Sequence, residues 1–200
     1  MNKNGYQDSP SLNELFSLND KFALVIGGAG LLGSQISNAF AELGANVIVA
    51  SRDISKCQEF VKHLNEIYPD GMHLALEVDI TDGDSMKNIV KEVEVKTNGG
   101  LDILVNSGWS GRKNTFDSIS NDDWDNDIDV CLSGVFRVIK LFVPLLKKNE
   151  GNILNIASIY GHVAPDYRLY DSEKLSNPPS YGAAKAGIIQ FTKYLSSFLS

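Results

Sequence analysis

The chain has 200 residues, enough for one α/β domain with a sizeable core. A net charge of −7 excludes the basic footprint of a nucleic-acid binder, and 43% hydrophobic against 22% charged residues excludes a disordered chain. Cys57 and Cys131 stand far apart without metal-ligand spacing, so no metal site or disulfide is expected, and reduced thiols in the cytoplasm are the simple reading.

Met1 to Pro10 is polar and lacks the apolar core of a secretory signal. A frayed tail to about Pro10 and a short helix or turn through Leu18 are expected. Five apolar runs then alternate with helical patterns. Phe22–Ile26 is the first strand, and Leu31 to Leu43 follows as a helix stopped by Gly44. Asn46–Ala50 is the second strand, and Ile54 to Ile67 is a helix ended by Pro69, Asp70 and Gly71. His73–Val78 is the third strand. Thr81 and Asp82 cap a helix to about Lys96, and Ile103–Val105 is the fourth strand. One long helix is predicted from about Asn121 to Lys148, bent near Pro144. Asn152–Ile156 is the fifth strand, and a last helix begins near Tyr181.

Strands alternating with helices, with apolar runs buried on both faces, predict a doubly wound parallel sheet in a Rossmann-like, three-layer αβα arrangement. A single domain is expected over 20–200, after a tail and lead-in over 1–19. A full dinucleotide fold has about six strands. Here the pattern stops inside the helix after the fifth, so the expectation is a fold truncated at its C-terminal part.

The first strand runs into Gly27-Gly-Ala-Gly30-Leu31-Leu32-Gly33 and then a helix. One glycine permits the turn, one lets the backbone approach a pyrophosphate, and one lets helix and strand pack closely. The helix N-terminus offers free N–H groups to the phosphates. At the end of the second strand, Ser51-Arg52 favours a 2′-phosphate, hence NADP, while Asp53 keeps NAD possible. Asp79, with Ile80 beside it, follows the third strand and is placed to accept from an adenine amino group, or else is a turn aspartate.

Tyr181 and Lys185 are spaced i, i+4, on one helix face. A free tyrosine holds its proton up to about pH 10, and a neighbouring ammonium favours the phenolate, making the pair a candidate general acid/base. Ser158 follows the fifth strand, on the side where an open sheet presents its ligands, and its hydroxyl can hold a substrate oxygen.

Gly27 to Gly33, Val78-Asp79-Ile80, Leu101 to Asn106, Trp124 to Phe136, Asn155 to Ser158, and Tyr181-Gly-Ala-Ala-Lys185 together resemble the short-chain dehydrogenase/reductase family. The resemblance implies hydride transfer between a nicotinamide and a hydroxyl or carbonyl carbon. It makes Tyr181 the proton donor or acceptor, with Lys185 as its charge partner and holder of the nicotinamide ribose. Ser158 orients the substrate oxygen, and Asn106 supports the turn after the fourth strand. It also implies a small-molecule substrate, no membrane partner, and a homo-oligomer paired through the two long helices, with Ile128, Phe136, Ile139 and Phe142 either at that interface or against the sheet.

Three features depart from the family pattern. Ile26 replaces the usual threonine before the first glycine. Cys131 stands where an asparagine normally completes the catalytic group and holds a water beside the lysine. The spacing of 22 residues between Ser158 and Tyr181 is long. The insertion, about His162 to Pro179, either offers aromatic rings and Arg168 to a polar, carbohydrate-like or anionic substrate or is an ordered surface loop. With Ser158-Ile-Tyr-Gly it resembles members linked to bacterial surface-sugar and flagellin-glycan biosynthesis. The first two departures, with the missing sixth strand, leave open a truncated or impaired dinucleotide-binding protein without efficient catalysis. The glycine spacing leaves open an epimerase or dehydratase of the extended type.

Overall fold

The computed structural model describes residues 11–109, 111, 114–171 and 177–199. The tail expected over 1–10 and the middle of the 162–179 insertion lie outside them.

Five parallel strands form one sheet in the order β3-β2-β1-β4-β5. They are β1 Phe22–Ile26, β2 Asn46–Ser51, β3 Leu74–Glu77, β4 Ile103–Asn106 and β5 Asn152–Asn155. A short α1, Leu12–Phe16, leads in and is fixed by a reciprocal Ser11–Glu14 capping box. Between the strands lie α2 Leu31–Glu42, α3 Ile54–Ile67, α4 Gly83–Lys96, α5 Asn121–Ile128 and α6 Gly134–Lys148, and α7 Pro179–Leu199 follows β5. These match the sequence-based elements to within a few residues.

Side chains alternate across the sheet. Leu24, Ile26, Ile48 and Leu104 pack with Met86 and Ile89 of α4, Ile139 and Phe142 of α6, and Ile188 of α7. Val25, Val47, Val49 and Val105 face the other way, against Ala41 of α2 and Val61 and Leu64 of α3. The three layers follow from this two-sided burial. At the foot of the sheet, the Asp102 carboxylate accepts from Phe22 N at 2.9 Å and from Lys21 Nζ at 3.0 Å, stapling β4 to β1.

The expected helix over 121–148 is continuous, but its irregularity is a π-turn and not a feature at Pro144. A π-helical turn, Asp129–Ser133, separates α5 from α6, while Pro144 lies inside α6. Gly134 N–H donates to Asp129 O, and Arg137 closes the turn from outside. Its guanidinium donates to Asp129 Oδ1 at 2.7 Å and to Ile80 O at 3.2 Å. A Cβ at Gly134 would stand 2.8 Å from Ile80 Cδ1, so glycine there lets the helix meet the β3–α4 loop. Such π-turns recur at functional sites, and this one carries Cys131.

Ile139 and Phe142 are buried in the core and Ile128 packs against it, so these three face the sheet side. Phe136 points outward, touching Phe191 of α7 with ring centroids 5.9 Å apart. Among the described residues, no helix is long and apolar enough to cross a membrane, and no group of acidic, histidine or cysteine side chains is arranged to hold a metal ion.

Candidate active site

The strand order turns back between β1 and β4, and open α/β sheets bind ligands at the carboxyl ends of their strands at such a point. A cavity of about 580 Å³ opens there. Its floor is the glycine turn. Gly27 has φ +76°, and a Cβ on it would come within 2.9 Å of Gly108 N. A Cβ on Gly33 would lie 2.1 Å from Gly27 O, so no side chain fits where α2 leaves the strand. Ile26 supplies no hydroxyl to steady the turn. Backbone bonds do so instead, with Gly27 N donating to Ala50 O at 2.7 Å and Gly30 N to Gly27 O at 2.9 Å. The N-cap Gly30 makes no side-chain cap bond, and Gly30, Leu31, Leu32 and Gly33 all line the cavity. The free amides of the first turn of α2 therefore face it.

At one end of the cavity lie Ser51, Arg52, Asp53 and Lys56. Asp53 is the N-cap of α3: its Oδ1 accepts from Lys56 N at 3.1 Å, and its Oδ2 pairs with Lys56 Nζ at 3.4 Å. The Lys56 backbone N–H holds this carboxyl below the usual aspartate value. Asp53 is thus engaged with its own helix, whereas Arg52 is exposed and joins none of the ion pairs found among the described residues. Asp79 and Ile80 form the neighbouring wall. Asp79 Oδ1 accepts from Thr81 Oγ1 at 2.6 Å and Thr81 N at 2.9 Å, so it is a turn aspartate that also borders the cavity. The Thr81 hydroxyl is the main cause of its lowered pKa.

Tyr181 lines the other end of the cavity beside Ser107, Gly108 and Trp109. Lys185 lies one turn on, 6% exposed, with Nζ 5.7 Å from the Tyr181 ring centroid. That Nζ donates to Ile156 O at 2.5 Å. Burial pushes the ammonium below the usual lysine range, and the buried Cys131 acts on it in the opposite sense. Ser158 caps the one-turn helix Ile159–Gly161, its Oγ accepting from Tyr160 N at 3.2 Å.

Two glycines press that turn onto α7. A Cβ on Gly182 would stand 3.0 Å from Tyr160 O, and one on Gly161 would stand 2.9 Å from Lys185 C and Ala186 N. The segment bearing Ser158 and the helix face bearing Tyr181 and Lys185 are therefore one packed unit. Asn106 does not border the cavity. Its amide donates to Asn155 Oδ1 at 2.9 Å, joining β4 to β5.

A family model described as short chain dehydrogenase matches residues 21–199. The chain belongs to the short-chain dehydrogenase family. A 3-oxoacyl-[acyl-carrier-protein] reductase, FabG, of Thermotoga maritima is 34% identical over 182 residues, covering 88% of this chain and 67% of that one. A FabG of Staphylococcus aureus is also 34% identical, over 177 residues, covering 86% of this chain and 66% of its own length. The chain thus spans about two thirds of the curated relatives it matches. Among solved structures, an NADP active-site complex of Pseudomonas aeruginosa RhlG is 26% identical with a TM-score of 0.80. That likeness covers 92% of this chain and 69% of RhlG.

For a short-chain dehydrogenase, two parts of this site went unread in the sequence. Lys56 borders the cavity because it lies one turn into α3 from the cap Asp53, a helical spacing visible in the sequence. Trp109 stands edge-on to Tyr181, with ring centroids 6.0 Å apart. Its place three residues beyond β4 was the available signal. Within the insertion, Arg168 is exposed and forms a surface ion pair. It is paired with Asp166 through Nε at 2.9 Å and Nη2 at 2.6 Å. The Tyr160 and Tyr170 hydroxyls are hydrogen-bonded to each other.

Proposed function

We propose that this chain carries the NADP(H)-dependent dehydrogenase/reductase chemistry of its family, acting on a carbonyl or hydroxyl carbon of a small molecule. The observation that carries the reading is the engagement of Asp53 by α3 while Arg52 and Lys56 stand at the ribose end and Tyr181 with Lys185 at the other. When bound, NADP(H) supplies or accepts the hydride. The glycine turn and the amides of α2 hold the pyrophosphate. Arg52 and Lys56 hold the 2′-phosphate, and Asp79 and Ile80 border the adenine. The NADP complex of RhlG supports the same cofactor.

Tyr181 gives or takes the proton at the substrate oxygen. Ser158 directs its hydroxyl hydrogen, not used in its bond to Tyr160, at the same oxygen. Lys185 keeps positive charge beside the Tyr181 ring and reaches the ribose hydroxyls from the same helix face. Cys131 is a weak hydrogen-bonding group, so the Ile156 carbonyl is the strong partner that orients the ammonium.

The surroundings favour a carbonyl on an apolar or acyl-type chain over a carbohydrate. Ile159, Val163 and Leu169 of the segment after Ser158 are exposed, as is Trp109. The FabG relatives are named for 3-oxoacyl substrates. The outward aromatic face of α6 and α7, with Phe136, Tyr194 and Phe198, supports pairing of two copies through these helices.

The test is NADPH oxidation against a 3-oxoacyl thioester and a ketose. The reading predicts turnover with the first, at higher kcat/KM than with the second. Absence of turnover with any carbonyl would overturn it.

A further inference from the structure

Behind the cavity, and outside it, lies a buried acid with no part in the chemistry described above. Asp127 of α5 is 3% exposed, and its Oδ2 accepts from Ser180 Oγ at 2.6 Å, with Ser180 itself fully buried. Ser180 immediately precedes Tyr181 and lies in the first turn of α7. A Cβ on Gly111 would stand 2.9 Å from Asp127 Oδ1, so glycine there lets the backbone come close to the carboxylate. In front of Ser180, the Tyr181 ring meets the Trp109 ring edge to face. One turn further along, the π-turn carrying Cys131 packs on α7 near Lys185.

A carboxyl group is costly to bury, and an aliphatic side chain at a helix–helix contact packs without that penalty. The position beside the N-terminal turn of α7 offsets part of the cost through the helix dipole. What the carboxylate adds is a directional bond at one fixed point, which an aliphatic contact lacks. A proton-transfer group needs its oxygen held to a fraction of an ångström.

We propose that Asp127 is a positioning residue, fixing Tyr181 through Ser180, with Trp109 reporting on the Tyr181 ring that it touches. The proposal rests on the reading of Tyr181 as the proton-transfer residue. It places Asp127 in contact with neither substrate nor cofactor, so it acts on turnover and not on NADPH affinity.

The test uses the full chain and three readouts: kcat with a 3-oxoacyl thioester per NADPH-binding site, NADPH Kd, and the indole ¹⁵N–¹H resonance of Trp109. The chain has two tryptophans, so Trp124→Phe assigns that resonance. Ser180→Ala is expected to lower kcat at least tenfold, to leave NADPH Kd within twofold, and to move the Trp109 resonance. Asp127→Asn keeps an oxygen that accepts from Ser180 and is expected to lose less than threefold. Should the unaltered protein turn over no carbonyl, the proposed function fails, and the Trp109 resonance alone decides the positioning role. An unmoved Trp109 resonance in Ser180→Ala overturns the proposal whatever the rates. So does an unchanged kcat in an active enzyme, or an equal loss in Asp127→Asn and Ser180→Ala.

Discussion

Lys185 Nζ donates to the carbonyl oxygen of Ile156 at 2.5 Å, two residues before Ser158. One buried hydrogen bond thereby joins the exit of β5 to the helix face that carries Tyr181. It orients the ammonium and fixes the spacing between the serine and tyrosine segments. Lys185→Met removes the charge and leaves the Ile156 carbonyl without that donor. We predict a fall in kcat of about 10²-fold or more, the scale of a lost acid–base contribution. Steady-state NADPH oxidation, with circular dichroism to confirm folding, checks this.

Arg52 stands at the Ser51–Lys56 end of the cavity, exposed and in none of the ion pairs found among the described residues, whereas Asp53 is held by the first turn of α3. Arg52→Ala is expected to raise the KM for NADPH about tenfold or more, as loss of a charge-assisted phosphate contact does. The KM for NADH should change less than twofold. Parallel titrations with the two cofactors measure the difference. A larger effect on NADH would reassign the end of β2.

His73 is buried at the edge of β2. Its Nδ1 accepts from Val47 N at 3.3 Å and its Nε2 lies 3.1 Å from Tyr68 O, an arrangement that needs the neutral ring. Burial lowers its pKa below the ordinary 6.5. The unfolded chain therefore binds this proton more readily than the folded one. The stabilisation from a neutral His73 is full above the unfolded value and is lost as pH falls below it toward the folded value. Urea midpoints should drop as pH falls through and below the ordinary histidine value of 6.5. His73→Gln should flatten that slope.

Asp102 accepts from the backbone of Phe22 and from Lys21, of which the lysine is half exposed. Most of the effect of Asp102→Ala should therefore come from the orphaned Phe22 N–H. A loss of about 1–3 kcal/mol in unfolding free energy is expected, the range for an unsatisfied buried donor. Lys21→Ala should cost under about 1 kcal/mol. Equilibrium denaturation of the two variants separates the contributions.

The strands and most helix limits were legible because local signals agreed: apolar runs, the cap at Asp82, and the glycine turn after Ile26. The capping role of Asp53 was not read. The π-turn at Asp129–Ser133 was not, since the contacts beside it, from Arg137 and Gly134 to Ile80, come from a loop distant in sequence. Pro144 drew the expected bend instead, because proline is a local signal. Tyr181, Lys185 and Ser158 were read from spacing and order. Trp109, Lys56 and the Asp127–Ser180 pair were not, because each acquires its place from an element distant in sequence or from the turn of a helix. The local pairing of Arg168 with Asp166, two residues away, was not read either, because it depends on the fold of the short Tyr167–Leu169 turn.

The most direct measurement is NADPH oxidation in the presence of a 3-oxoacyl thioester, run side by side for the unaltered chain and for Tyr181→Phe. The proposed chemistry predicts turnover in the first. The phenylalanine variant should fall by about 10²-fold or more with its NADPH affinity retained, because only the proton-transferring oxygen is lost. Equal rates in the two proteins would contradict it.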